Sequence, residues 1–394
     1  VNVSDLVREY LLLGLRFDRL VEGFVDAFTG DPAMRAEVAN EPAPDPASLA
    51  RHAAALRRDV TSSGLTDDRQ RWLDGQLHGL ATSGRKLAGE DVGFVDEVES
   101  YFQVRIEPGD TDAYALAHKE LDALLPGDGP LAERYVTWRE AETVPPDKLA
   151  EAVDAFSSDL RDRVRATYPL PENEVVEYEV VTDKPWSGFN YYLGGMRSRV
   201  AINADLPVRK PDLPKLVAHE SYPGHHTEHC RKERLLVEGE DRQEHRIFLV
   251  NTPECLMAEG LADLGVRVAV GESWGTWARD VYADLGIAFD GELAEQVGRV
   301  AAPLNNVRQD AAILLHDRGA SEDDAVAHLV RWGLVSEERA RKSLAFLTDP
   351  LWRAYTSTYV EGYRLLGRWL DAGNEFRRLL DEPLTPRDVV ESLA

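Results

Sequence analysis

Apolar residues recur three or four apart from the start of the chain to about residue 169, and again from Pro214 to the end. That spacing places one apolar stripe on each of a succession of helices. One stretch breaks the rhythm: YPLPENEVVEYEVV leaves a helix and sets valine and tyrosine against glutamate in alternation, and GMRSRVAINAD at 195–205 reads as a second strand. The chain is therefore predicted to be mainly α with a small sheet. Leu73, Leu77 and Leu80 form one such helical stripe, and turn chemistry divides the helices at GDP (30–32), EPAPDPAS (41–48), LPGDGP (125–130) and VPPD (144–147), where Asp147 can cap the next helix. No repeat of fixed length is visible. The change of texture gives an N-terminal helical region, 1–169, and a second region, 170–394, expected to pack together as one compact unit. With 394 residues, 43% of them apolar, the chain can bury a sizeable core.

Seventy acidic against forty-five basic residues give a net charge of -25, which repels phosphate backbones and anionic membranes, so nucleic acid and membrane are not expected as partners. Cys230 and Cys255 stand alone, which excludes a disulfide framework or a four-cysteine zinc module and fits a reducing cytoplasm. The opening VNVSDLVREYLLLGLRFDRL lacks a basic lead and a small-residue cleavage site and reads as an amphipathic helix. No run of about eighteen uncharged apolar residues occurs, so no membrane span is expected.

Residues 217–230, VAHESYPGHHTEHC, carry the chemistry. A metallopeptidase HExxH motif sets two histidines four apart on one helix, but here Pro223 takes the fifth place and the histidines come later, as His225 and His226. On a regular helix, at about 100° and 1.5 Å per residue, His225 would point away from His219, and His226 would lie about 10 Å off on the same side. Pro223 removes a backbone donor and Gly224 permits unusual dihedrals, so the helix can break there and bring two imidazoles together. A catalytic zinc takes three nitrogen or oxygen ligands and an open position. Downstream, NTPECLMAEGLADLG has Thr252 as a natural N-cap and Pro253 at the first helical position. It supplies Glu259 as third ligand, with Glu254 as an alternative. Asp263, one turn on, can accept the outer N–H of a ligand histidine, and Glu220 is the candidate general base. His229 pairs in spacing with His225 but reads as a helix-surface residue, and Cys230 as a small apolar filler.

HESYPGHH resembles the HExxPGHH signature of a family of bacterial proteins that are distant relatives of the gluzincin zinc metallopeptidases. AEG at 258–260 is similar to that family's downstream acidic motif, usually EGW, with Leu261 in the tryptophan's place. The resemblance extends over most of the chain and is loosest in the N-terminal helices. It implies a large helical gluzincin-like metallopeptidase fold with a small β-sheet beside the metal-binding helix. It also implies zinc held by the first histidine, the second histidine and the downstream glutamate, with Glu220 as base. Comparison with the HE-F-GH of helical peptidase relatives implies a two-residue insertion, which favours His225 over His226 as second ligand and leaves His226 a supporting or substrate-facing role. Arg308 and His316 in VRQDAAILLHDRG and Tyr359 in YVEG match family positions. Such residues are structural more often than not, so a functional role rests on the resemblance: in it Tyr359 or His316 would donate to an oxyanion and Arg308 would hold a substrate carboxylate. Tyr191 and Tyr192 in GFNYYLGG are expected along the cleft.

The expected function is a zinc-dependent hydrolase of an amide bond in a peptide or peptide-like small molecule. Zinc would activate water, Glu220 would move its proton to the leaving nitrogen, and the strand at 197–203 would pair with an extended substrate. Two other readings fit the residues. Two histidines and a carboxylate also suit iron in a non-hydrolytic metalloenzyme, and a binding protein could keep a vestigial metal site closed by a fourth ligand.

Overall fold

The computed structural model describes residues 2–184, 186–205 and 207–394. It is mainly helical with small sheets. Near the N-terminus α1 (Val3–Asp18), α2 (Pro46–Thr61) and α3 (Asp67–Leu87) pack together. The Asn2 side chain accepts the Ser4 N–H to start α1, and Asp45 accepts the Ser48 N–H at 2.8 Å to start α2 behind Pro46. Leu73, Leu77 and Leu80 are wholly buried in this core, each contributing on the order of 1.5–3 kcal/mol. Asp147 does not cap the following helix. Residues Pro146–Lys148 form a 3₁₀ turn, and the helix begins at Leu149 without a side-chain cap.

The strands are β1 (Val25–Phe28), β2 (Val175–Val181), β3 (Gly188–Gly194), β4 (Arg197–Asn203) and β5 (Ile247–Leu249). β1 lies inside a region whose pattern reads as helical throughout; it pairs antiparallel with β5, Val25 opposite Leu249 and Phe28 opposite Ile247. Ile247 and Leu249 join the core built by α1 and α3, so residues on both sides of position 170 share one apolar interior. The other sheet has the order β2-β4-β3, with β2 parallel and β3 antiparallel to β4. β4 is thus the central strand, with both edges paired, and cannot add a substrate strand as expected of 197–203. The edges belong to β2 and β3, and β3 is the one that starts beside Glu220. Along β3, Asn190 and Tyr192 turn inward while Phe189 and Tyr191 lie on the outer face.

Beyond these, α4 (Leu131–Ala141) precedes α5 (Leu149–Thr167), whose Phe156 and Leu160 pack with Val200 of β4, Val217 and Tyr222. α6 (Leu213–Glu220) and α7 (His225–Lys232) carry the histidine motif, and α8 (Pro253–Asp263) carries Glu259. Later in the chain come α9 (Val307–His316), α10 (Glu337–Thr348) and a π-helical turn, Thr358–Gly362. The backbones of α8 and the π turn touch: a Cβ on Gly260 would lie 2.5 Å from the Gly362 carbonyl carbon. Among the described residues no helix is long and apolar enough to cross a membrane.

Candidate metal centre

α6 ends at Glu220 and α7 starts at His225, with the chain folding back between them through a cis Tyr222–Pro223 bond. Gly224 makes the fold-back possible, since a Cβ there would sit 1.9 Å from the His219 carbonyl oxygen. The turn is pinned by Thr227 Oγ1, which donates to the Ser221 carbonyl at 2.9 Å. As a result the Nε2 atoms of His219 and His225 lie 3.1 Å apart with their rings perpendicular.

Glu259 projects from α8 into the same space. Its Oε2 is 3.4 Å from His219 Nε2 and its Oε1 is 3.5 Å from His225 Nε2. A tetrahedral zinc with bonds of about 2.0–2.1 Å sets its ligand atoms about 3.3 Å apart, and the three observed edges lie around that value. Glu259 Oε2 is buried with no hydrogen-bond partner, and the two imidazole nitrogens face each other, so the residues fit a cation better than they fit one another. Among the described residues, this group of three is the one His, Cys, Asp or Glu set so arranged, and no fourth such side chain joins it.

Supporting groups hold the ligands. His219 Nδ1 donates to Asp263 Oδ1 at 2.9 Å, which leaves Nε2 with its lone pair toward the site. The Tyr355 hydroxyl donates to Glu259 Oε1 at 2.7 Å. Burial works against a charged His219, yet its bond to Asp263 and the nearby Glu259 carboxylate outweigh burial and hold the imidazole well above its ordinary pKa. Burial likewise pushes Glu259 up, and its contacts with His219 and His225 more than reverse this. The centre is a place where positive charge is stabilised.

Glu220 is buried beside the ligands, and its carboxyl titrates above the ordinary range because of burial, with His219 and His225 opposing. Among the described residues nothing donates to its carboxylate. β3 clamps the end of α6: Asn190 Nδ2 donates to the Glu220 carbonyl at 2.6 Å, and a Cβ on Gly188 would be 3.0 Å from Glu220 Oε1. Tyr359, on the π turn, has its ring 6.5 Å from that of His219 and 5.6 Å from that of Tyr355. It keeps 42% of its surface exposed, so it lines a cleft that solvent reaches. The protein packed around this partly exposed ring, together with the charges of Glu259, Asp263 and Glu220, keeps its phenol well above the usual range. Arg308 is exposed and within Coulombic reach of Tyr359.

Asp26 on β1 is an acid within Coulombic reach of the ligands that sequence reasoning missed. Burial pushes its carboxyl up to about 7, with His225 opposing and Glu259 and Glu220 reinforcing. The available signal was an acid inside an apolar run, FVDAF, whose neighbours Phe24, Val25 and Ala27 are all buried.

Other expectations require correction. His226 faces neither cation nor cleft; it is fully buried against Tyr222, with Nδ1 2.8 Å from Ser198 Oγ and Nε2 3.0 Å from Glu174 Oε2. Being the next residue on α7, it points about 100° away from His225. His316 lies against Phe94, and its Nε2 donates to the Leu347 carbonyl at 2.6 Å, so it ties α9 to α10 instead of serving an oxyanion. Tyr191 is on the outer face of β3 between Phe189 and the Arg199 guanidinium. Tyr192 turns inward, stacks on His229 and donates to Glu233. His229 is thereby enclosed, and burial lowers its pKa to about 3. Glu254 sits near Lys232 and His245, away from the ligands. Cys230 is the small apolar filler expected, and Leu261 belongs to the same core. Thr252 occupies the N-cap position of α8, but its hydroxyl donates back to the Leu249 carbonyl. A surface concavity of about 660 Å³, lined by Glu120, Glu292, Glu295 and Arg299 among others, is open and lies apart from these ligands.

No family model and no curated protein matches the sequence. Solved structures share the fold, two of them as follows. One is a "putative lipoprotein" from Colwellia psychrerythraea, with a TM-score of 0.51 at 14% identity over 88% of this chain and 66% of that one. The other is a "putative lipoprotein of unknown function" from Shewanella oneidensis, with a TM-score of 0.52 at 13% identity over 92% of this chain and 76% of that one. The chain thus spans about two thirds of the first protein's length and about three quarters of the second's.

Proposed function

We propose that the protein is a zinc-dependent hydrolase, gluzincin-like in fold, that cleaves an amide bond in a peptide or a peptide-like small molecule. One observation carries this reading: His219, His225 and Glu259 meet at spacings suited to a single cation, beside a Glu220 carboxylate that has no hydrogen-bond donor among the described residues. Bound zinc would supply Lewis acidity, lowering the pKa of water and polarising a carbonyl. Asp263 and Tyr355 keep two of the ligands oriented. Glu220, with its carboxyl raised by burial, is suited to take a proton from water and deliver it to the leaving nitrogen. Tyr359 stays protonated and can donate to the developing oxyanion. β3, which has an unpaired edge among the described residues and begins beside Glu220, is the strand along which an extended substrate would pair.

In zinc-loaded Glu220→Gln protein the metal content should be unchanged and cleavage of a peptide library should fall by roughly 10²–10⁴-fold; undiminished cleavage would remove Glu220 as base. The same donor set favours a second reading, a non-hydrolytic iron enzyme. Protein purified under reducing conditions with iron bound, oxygen consumption and no peptide cleavage would establish that alternative.

A further inference from the structure

The two edges of the larger sheet differ. β3 is interrupted by a bulge between Tyr192 and Gly194, whereas β2 runs in unbroken register along β4, from Val175 opposite Arg197 to Val181 opposite Asn203. The Val175 N–H donates to the Met196 carbonyl and the Val181 carbonyl accepts from the Ala204 N–H, so both of these residues turn their backbone groups toward β4. Backbone groups alternate in direction along a strand, and Val176, Tyr178 and Val180 therefore turn theirs outward. Among the described residues those outward N–H and C=O groups have no partner. Edge strands are commonly blunted by proline, lysine or a bulge. VVEYEVV carries none of these, and it leaves Val175 36% and Val180 49% exposed.

The same stretch reads identically in both directions, with Tyr178 at its centre. A closed two-fold interface has to be self-complementary, and this strand is. Laid antiparallel on a second copy about an axis through Tyr178, Val176 meets Val180, Val175 meets Val181 and Glu177 meets Glu179, while Tyr178 meets its own counterpart. Because the axis passes through a residue and not between two, each outward-facing residue lies opposite another outward-facing one, and the pairs at Val176, Tyr178 and Val180 can exchange both of their hydrogen bonds. The Tyr178 hydroxyl, held from the inner face by Ser157 Oγ at 2.8 Å and Ser221 Oγ at 2.6 Å, fixes the centre of the strand. Two terms oppose the pairing. A net charge of -25 resists self-association, and glutamates set opposite each other repel. Each of these glutamates already has an arginine of β4 beside it, Arg197 at 3.0 Å from Glu177 and Arg199 at 3.3 Å from Glu179, so the edge itself is close to neutral.

We propose that the free edge of β2 is an interface for a second copy of this chain: two copies pair antiparallel about Tyr178 and join their three-stranded sheets into one continuous sheet. The pairing leaves the β3 edge beside Glu220 open in both copies. It does not depend on the hydrolase reading.

A single strand pair makes a small interface, so sedimentation velocity should be run up to about 100 μM protein, where a species of twice the chain mass is expected. Val180→Pro removes one outward N–H and takes nothing from the ladder between β2 and β4. It should return the protein to monomer with circular dichroism unchanged. Val180→Lys, which places a charge on the edge, should do the same and serves if the proline variant does not fold. The register is read by cross-linking Glu177→Cys protein mixed with Glu179→Cys protein. In the antiparallel register the two new thiols sit directly opposite, with Cβ atoms about 4.5–5.5 Å apart, and the native Cys230 and Cys255 are buried. Mild oxidation should therefore link the mixture into a heterodimer, and should not link either variant alone. Monomer at every concentration, a dimer that persists in both Val180 variants, no linkage in the mixture, or linkage of either cysteine variant alone as readily as of the mixture would each overturn the interface.

Discussion

His225 and His226 are neighbours in sequence with opposite roles, and one turn of geometry separates them. His225 faces the ligand space, while His226 reaches back to Glu174, a buried carboxylate that also accepts from Tyr222, Arg161 and Arg165. Burial alone would raise the Glu174 carboxyl, but the bonds from His226, Tyr222 and Arg161 outweigh it and hold the group at about 2, against an ordinary 4.5. A carboxyl depressed in the folded state stabilises the fold above its unfolded pKa and loses that contribution as pH falls through its folded one. The stabilisation is worth about 3 kcal/mol, present in full above pH 4.5 and lost toward pH 2. Glu174→Gln should therefore cost roughly 2–4 kcal/mol at neutral pH and flatten the decline of stability on acidification; an unchanged acid-unfolding profile would refute this. Tyr359 supplies a second prediction at this scale. Tyr359→Phe keeps the ring and removes one donor, so kcat should fall by about 10²–10³-fold with zinc content and thermal stability unchanged, whereas a purely structural tyrosine would lose stability and keep kcat.

Glu259 and Tyr359 are set against each other by the contact of α8 with the π turn, and that contact needs two glycines. A Cβ on Gly362 would lie 2.7 Å from the Leu256 carbonyl oxygen and 2.9 Å from the Gly260 Cα. Gly362→Ala should force the elements apart, lowering stability by about 1–3 kcal/mol and weakening zinc binding, because Tyr355, a few residues before the turn, steadies Glu259. Stability lost with zinc affinity intact would mean that the turn does not position the ligand. The same elements show what could be read in advance. The break at Pro223–Gly224 was legible because it arises from local sterics, and Glu259 and Asp263 because they are one turn apart on one helix. β1 was not, since four residues are too few to display a period and the strand exists through pairing with β5, more than two hundred residues later. For the same reason alternation found β4 as a strand but could not reveal that it lies between β2 and β3, nor that the edges fall to those two. The positions of His316 and Tyr191 likewise depend on partners, Leu347 and Arg199, that no local pattern names.

At the scale of the whole molecule the site is a junction. Its ligands come from α6, α7 and α8, its supporting tyrosines from the segment around the π turn, and the acid within Coulombic reach, Asp26, from a strand that belongs to the N-terminal core. Unfolding separates all of these, so a cation that binds the assembled site stabilises the entire chain by mass action, about 2.7 kcal/mol at a free concentration one hundred times Kd. Calorimetry of the chelator-treated protein should therefore give a Tm that rises by several degrees when zinc is restored. The adjacent histidines make the decisive comparison. His225→Ala deletes a ligand without opening the core, and it should leave the chelated protein near its original Tm while abolishing the rise with zinc. His226→Ala breaks the buried bonds to Glu174 and Ser198, so it should lower the Tm of the chelated protein yet keep most of the zinc-dependent rise. The opposite pattern, with zinc response lost in the His226 variant and kept in the His225 variant, would mean that the second ligand is His226 and that the fold-back at Gly224 serves packing alone.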